Sequence, residues 1–213
     1  MTLILVKYRV TFFLSFLILV SSMVSAQKNT EKWKLQLALG INNPIDNGEN
    51  DGFYTKYLNF PSVNLGIQHM FNNKFGAKID YGFNRSESDA GSKFFKLNYS
   101  RVNFQFVYNV SSVLRFLPEP IKIVTHIGPG MSFTQPLGND SENTYTYLNM
   151  LSGFEVHYKI SRSFSIFSDV SYAYSLSSKD KYDALLDGFS FNGDLLYASV
   201  GISVSLSGCY YCN

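Results

Sequence analysis

From Gly153 to Leu176 the chain reads GFEVHYKISRSFSIFSDVSYAYSL, a period-two pattern written twice. Phe154, Val156, Tyr158 and Ile160 alternate with Gly153, Glu155, His157 and Lys159. After Ser161-Arg162-Ser163 the alternation resumes, with Phe164, Ile166, Val170, Tyr172 and Tyr174 set against Ser165, Asp169, Ser171, Ala173 and Ser175. A helix would repeat every 3.6 residues, so two such runs about a short polar break predict a β-hairpin. Each run is about ten residues or longer. That is long for a globular strand and about right for one crossing a bilayer at a tilt. One face is apolar and aromatic; the other mixes small residues with isolated charges.

The same alternation recurs along the chain. A first strand is predicted over Trp33–Ile41, a second over Ser62–Phe71 and a third over Phe75–Asn84, with Asn72-Asn73-Lys74 a tight turn because Asn tolerates left-handed backbone angles. A fourth runs from Phe94 to Val110. Its apolar parity breaks, from odd (Phe95, Leu97, Tyr99) to even (Val102, Phe104, Phe106, Tyr108), which predicts a β-bulge near Ser100 that brings Arg101 onto the polar face. The fifth, Ile121–Phe133, contains Pro129. A residue with no N–H to donate belongs near a bulge or the strand's outer end. The opening hairpin supplies the sixth and seventh strands, with 134–147 as loop, and Gly193–Leu206 the eighth. Connections are long after strands one, three, five and seven and mostly short after the others.

Alternation does not say which face points inward. The polar face is dominated by Ser, Gly, Asn and Ala rather than the Lys, Glu, Thr and Arg of a wetted surface. Small residues suit the crowded interior of a narrow barrel of about eight strands. The apolar face then meets lipid, with Trp33, Phe71, Phe75 and Phe164 at one interface and Tyr81, Phe83, Tyr172 and Tyr174 at the other. The expected fold is an all-β, eight-stranded antiparallel up-and-down transmembrane β-barrel over residues 27–206. A soluble periplasmic ligand-binding barrel is the rival with the faces reversed.

An inward polar face collects charges. A hairpin closing on Arg162 sets Glu155 directly opposite Asp169, and like charges facing each other repel unless a cation bridges them. Closing the other tight hairpin on Asn73 brings Lys78 and Asp80 to a similar height, with Arg101 close by count. Lys78, Asp80, Arg101, Glu155 and Asp169 are therefore expected to form a structural charge network inside the barrel.

Residues 1–26 carry Lys7 and Arg9, then an apolar stretch and Val24-Ser25-Ala26, the pattern of a secretory signal peptide. The formal charge of +2 falls to zero without Lys7 and Arg9, so nothing draws the chain to nucleic acid. Cys209 and Cys212 close the chain in a short tail, 207–213. They lack the strand-to-helix setting of a redox pair, and two thiols alone do not complete a metal site. No cofactor is expected.

With these features the chain resembles the small outer-membrane β-barrels of Gram-negative bacteria, the OmpA-like or porin-like barrel domains. The likeness rests on His126-Ile127-Gly128-Pro129-Gly130, the Gly153-Phe154-Glu155 strand, and Ser199-Val200-Gly201-Ile202-Ser203-Val204-Ser205-Leu206, which looks like the signal read by the barrel-assembly machinery. Leu206 stands where that signal usually ends in an aromatic residue. The resemblance implies an outer-membrane location, contact with outer-membrane lipids, protein partners at the external loops and a non-enzymatic role. No peptidoglycan-binding domain is expected after the barrel. Some barrels of this size are lipid A deacylases that use a His and a nearby Ser. Here His126 is followed by Gly128 and faces inward with His157, while His69 sits at an interface. A lipid-modifying enzyme is the alternative.

Overall fold

A computed structural model describes residues 32–45, 51–114, 116–138, 140–161, 163–176 and 183–206. The expected signal peptide and the cysteine-bearing tail lie outside the described residues. Eight strands follow one another: β1 (Trp33–Pro44), β2 (Asn59–Met70), β3 (Phe75–Glu87), β4 (Lys96–Asn109), β5 (Ile121–Leu137), β6 (Tyr145–Lys159), β7 (Phe164–Ser175) and β8 (Leu195–Ser205). Each pairs antiparallel with the next, and β8 pairs back to β1, closing the barrel. Closure matters because an open edge would leave a row of backbone donors and acceptors unpaired.

The strands run from 11 residues in β8 to 17 in β5. Connections 71–74, 110–120 and 160–163 lie at one end, and 45–58, 88–95, 138–144 and 176–194 at the other. Two connections are shorter than the sequence predicts. β1 and β2 extend into the Asn42–Pro61 stretch, and β5 and β6 zip to a tip over 138–144, because the residues beyond Phe133 keep their alternation.

The faces sort as expected for a barrel in lipid. Leu37, Leu39, Ile67, Ile79, Phe104, Phe106, Ile127, Phe154 and Val200 are exposed on the outside, while Gln36, Lys78, Asp80, Arg101, Gln105, Glu155 and Asp169 are buried within. A soluble barrel would show the opposite. An uninterrupted apolar belt facing water would be an aggregation surface.

Two local expectations are corrected. No bulge lies near Ser100: β4 holds one register against β3 from Glu87↔Lys96 to Phe75↔Tyr108. Parity breaks in hydrophobicity, not in geometry. Phe95, Leu97 and Tyr99 point inward like Arg101, and all four are buried. The shift in register falls instead between Gly40 and Asn42, against β2. Pro129, for its part, lies mid-strand and faces outward, without a bulge. The β4–β5 pairing lapses where Phe104 and Gln105 pass Pro129 and Gly128, then resumes in the same register. The missing N–H is absorbed by a local gap in the ladder.

Inward Phe95, Leu97 and Tyr99 reveal how the barrel is filled. At the long-loop end they pack with Tyr147, Leu151, Leu195 and Tyr197 from other strands, with Phe53 from 45–58, and with Phe189 and Phe191 from 176–194. The last connection turns back through a short helix α1 (Ala184–Asp187). Its N-terminal amides at Leu185 and Leu186 donate to the Asp183 side chain, and it ends at Gly188 with φ 75°. Such capping and a left-handed glycine let the chain reverse and drop two phenylalanines into the barrel mouth. At this end the aromatic cluster sits beside buried polar residues such as Asn42, Asn59, Ser86 and Asp194; the buried charges of the strands lie below it.

Candidate functional site

The polar tier begins with the register. Glu155 and Asp169 are directly paired across β6–β7, as the hairpin count requires. No cation hydrogen-bonds to both, although Lys78, bonded to Glu155, also acts electrostatically on Asp169. Glu155 accepts from Lys78 Nζ at 2.6 Å and from Gln36 Nε2 at 3.0 Å, and lies 2.6 Å from His157 Nε2. Asp169 accepts from Ser171 Oγ at 2.7 Å and lies 3.3 Å from His126 Nε2. The repulsion foreseen between the two carboxylates is answered separately on each.

Arg101 serves a different partner. Its guanidinium donates to Asp80 Oδ2 at 2.6 Å, Asn64 Oδ1 at 2.7 Å, Asn103 Oδ1 at 3.3 Å and Tyr197 Oη at 2.6 Å. Its Cζ lies 4.7 Å from the centre of the Tyr197 ring. Gln105 donates to the other Asp80 oxygen. From there a polar chain runs through Asn103, Asn149 and Ser132 to the Tyr99 hydroxyl. All five expected network residues are thus inside and hydrogen-bonded, their direct contacts forming two ion pairs and a separate carboxylate, with Lys78 also acting on Asp80 and Asp169 at longer range. The charges are fixed where they are because each is held by several partners in a low-dielectric interior.

Small residues make the room. Gly82 is the register partner of Arg101, and a β-carbon there would sit 2.7 Å from the guanidinium carbon. Gly153 stands opposite Ser171, where a β-carbon would strike the serine hydroxyl and lie 2.8 Å from His126 Cε1. Gly82→Ala should therefore lower the barrel's unfolding temperature by overpacking, at a cost of about 1–3 kcal/mol. Unchanged heat-modifiable gel mobility across the temperature range would show that Arg101 moves aside freely.

Two of the three histidines are turned away from lipid. His126 and His157 are buried inside the barrel; Ser171 donates to Asp169 at 2.7 Å, and its Oγ also lies 3.4 Å from His126 Nε2. His69, on the outer surface, lies against Trp33 with ring centres 4.4 Å apart, as an interfacial residue should. Among the described residues no group of three or more His, Cys, Asp or Glu could hold a metal ion. No described helix is long and apolar enough to cross a membrane.

Sequence reasoning missed the aromatic cap and a ring of lysines at the opposite end. Phe189 and Phe191 sit in a polar connection outside any predicted strand, so nothing marks them as core. The lysines had a visible signal: Lys34 and Lys159 are the outermost members of inward-facing series already recognised in their strands.

No protein-family model matches the chain, and no curated protein matches it in sequence. Solved structures do. Neisserial surface protein A superposes with a TM-score of 0.58 at 11% identity, covering 83% of this chain and 99% of its own. The outer membrane protein OprG from Pseudomonas aeruginosa gives 0.54 at 10% identity, covering 83% and 96%. A major outer membrane protein from Thermus thermophilus gives 0.52 at 12% identity, covering 81% and 98%. With its closed antiparallel ring, its outward apolar belt and these likenesses, the chain has the fold of the small eight-stranded outer-membrane β-barrels.

Proposed function

We propose that this chain is an integral outer-membrane protein without enzymatic activity, acting through structural or binding contacts of its long loops and not as an open porin. The observation that carries the reading is the reversal of faces: apolar residues ring the outside while charged residues pair within. A strand barrel with that arrangement suits a lipid environment, since its strands pair around the ring and its charges are turned inward. The short connections face the periplasm and the long ones the exterior, following the loop-length asymmetry of such barrels. At the exterior end Tyr57, Phe94 and Leu186 are largely exposed, offering contact groups to partners. The last strand presents its apolar residues to the assembly machinery before it zips against β1.

The mature protein should extract from outer membranes only with detergent. A protease-accessible tag within 46–51 or 178–182 should be cut in intact cells, while one at Asn73 should be protected. Recovery in a salt-washed soluble fraction would refute the membrane location, and the reverse cleavage pattern would invert the orientation.

Conductance should be negligible. An eight-strand interior is just wide enough for side chains, and here aromatic residues fill one end and hydrogen-bonded charges the middle. Large, stable current steps from the pure protein in planar bilayers would contradict this packing.

A further inference from the structure

At the short-turn end the inward faces of β1, β5, β6, β7 and β8 meet around a cavity of about 100 Å³. Its polar lining includes Lys34, Lys122, Lys159, His157, Ser165 and Ser205. Register brings them together: Lys34 pairs with Ser205, Lys122 with His157, and Lys159 with Ser165. Each lysine is the last inward residue of its strand, one alternation beyond Gln36, Val124 and His157. The three lysines therefore line one opening, Lys34 half-buried and Lys122 and Lys159 exposed at its rim.

What they lack is a direct carboxylate partner, Glu155 reaching Lys34 only at longer range. Among the described residues none of the three forms an ion pair, whereas Lys78 and Arg101, higher in the barrel, each hold a carboxylate. Glu155, one inward step above His157, already accepts from Lys78 and Gln36 and touches His157. The His157 ring is fixed in turn by stacking on Phe167, with centres 5.0 Å apart. Like charges gathered in a recess are unfavourable by themselves and become favourable when an anion enters.

We propose that this mouth binds a phosphate-class oxyanion entering from the short-turn side. Lysines suit phosphate as mobile point charges, and the serine hydroxyls add donors to its remaining oxygens. The recess has room for several waters or one tetrahedral oxyanion. The same chemistry is presented by a soluble phosphate compound and by the headgroup of an anionic lipid in the adjoining leaflet.

The test is calorimetric titration of inorganic phosphate into the purified full chain in maltoside micelles, which contain no phosphate. Saturable binding that weakens with salt is expected. The Lys122→Gln/Lys159→Gln pair should weaken it by about tenfold or more, roughly 1.4 kcal/mol or above, while Lys74→Gln, at the same end but outside the recess, should leave it unchanged. Doping the micelles with phosphatidylglycerol distinguishes the sources. A headgroup that occupies the site lowers the apparent phosphate affinity, and a site reserved for soluble anions keeps it. Should the double variant fail to fold, phosphate on the wild-type protein should still protect Lys122 and Lys159, but not Lys74, from amine acylation. Absence of saturable binding, equal weakening by Lys74→Gln, or uniform acylation would overturn the proposal.

Discussion

Arg101→Ala should lower the unfolding temperature of the barrel far more than loss of any exposed lysine, and Asp80→Asn in the same background should restore part of it. Arg101 is wholly buried and donates to Asp80, Asn64, Asn103 and Tyr197. Its removal leaves the Asp80 carboxylate charged in a water-poor interior, with only Gln105 donating to it. Lys78, two residues away on the same face, is engaged by Glu155. Stripping one partner from a buried pair costs on the order of 3–5 kcal/mol, whereas neutralising the other partner removes the uncompensated charge. The sequence alone points to Glu155→Gln as the rescuing change. The structure reassigns that role, because Glu155 belongs to Lys78; Glu155→Gln should instead rescue Lys78→Ala. The measurement is the temperature at which folded and unfolded gel bands interchange. A single Arg101 variant as stable as wild type, or rescue by Glu155→Gln and not by Asp80→Asn, would break the assignment of pairs.

Phe189→Ala should destabilise the barrel by about 3–5 kcal/mol, the usual cost of deleting a fully packed phenyl ring. A loop residue at an exposed mouth would ordinarily cost almost nothing. Phe189 differs because it is 1% exposed, inserted among aromatic residues from β4, β6 and β8. Phe191 meets the Tyr99 ring edge-on at 5.7 Å, and Tyr99 continues into the polar chain below. Loss of the cap should admit water to the upper barrel and make Tyr99, Tyr147 and Tyr197 accessible to a soluble fluorescence quencher. The ladder itself should survive, since its backbone bonds do not involve the cap. Unaltered thermal stability and unaltered quenching would mean that 176–194 merely rests on the mouth.

These two experiments probe different layers of information. Strand identity, the outward apolar face and the pairing of Glu155 with Asp169 were legible in the chain, because alternation and tight turns are local properties of adjacent residues. Turning at Asn73 likewise fixes Lys78 against Gln68 and Asp80 against Gly66. The partners across the lumen were not legible. Lys78 and Glu155 lie 77 positions apart on strands that are not neighbours, and only closure of the ring with its stagger brings them within 2.6 Å.

Two further features escaped for related reasons. Phe95, Leu97 and Tyr99 share a face with Arg101, and apolar residues on a polar face look like a bulge until the aromatic cap that surrounds them is known. Phe189 and Phe191 stand two apart in a polar connection outside any predicted strand, so only the fold of that connection assigns them to the interior. At the opposite mouth Lys34 and Lys159 were readable as inward from the alternation of their strands. That Lys34, Lys122 and Lys159 meet at one opening was decided by the tertiary structure, because β1 comes to share a recess with β5 and β6 only after the barrel has closed.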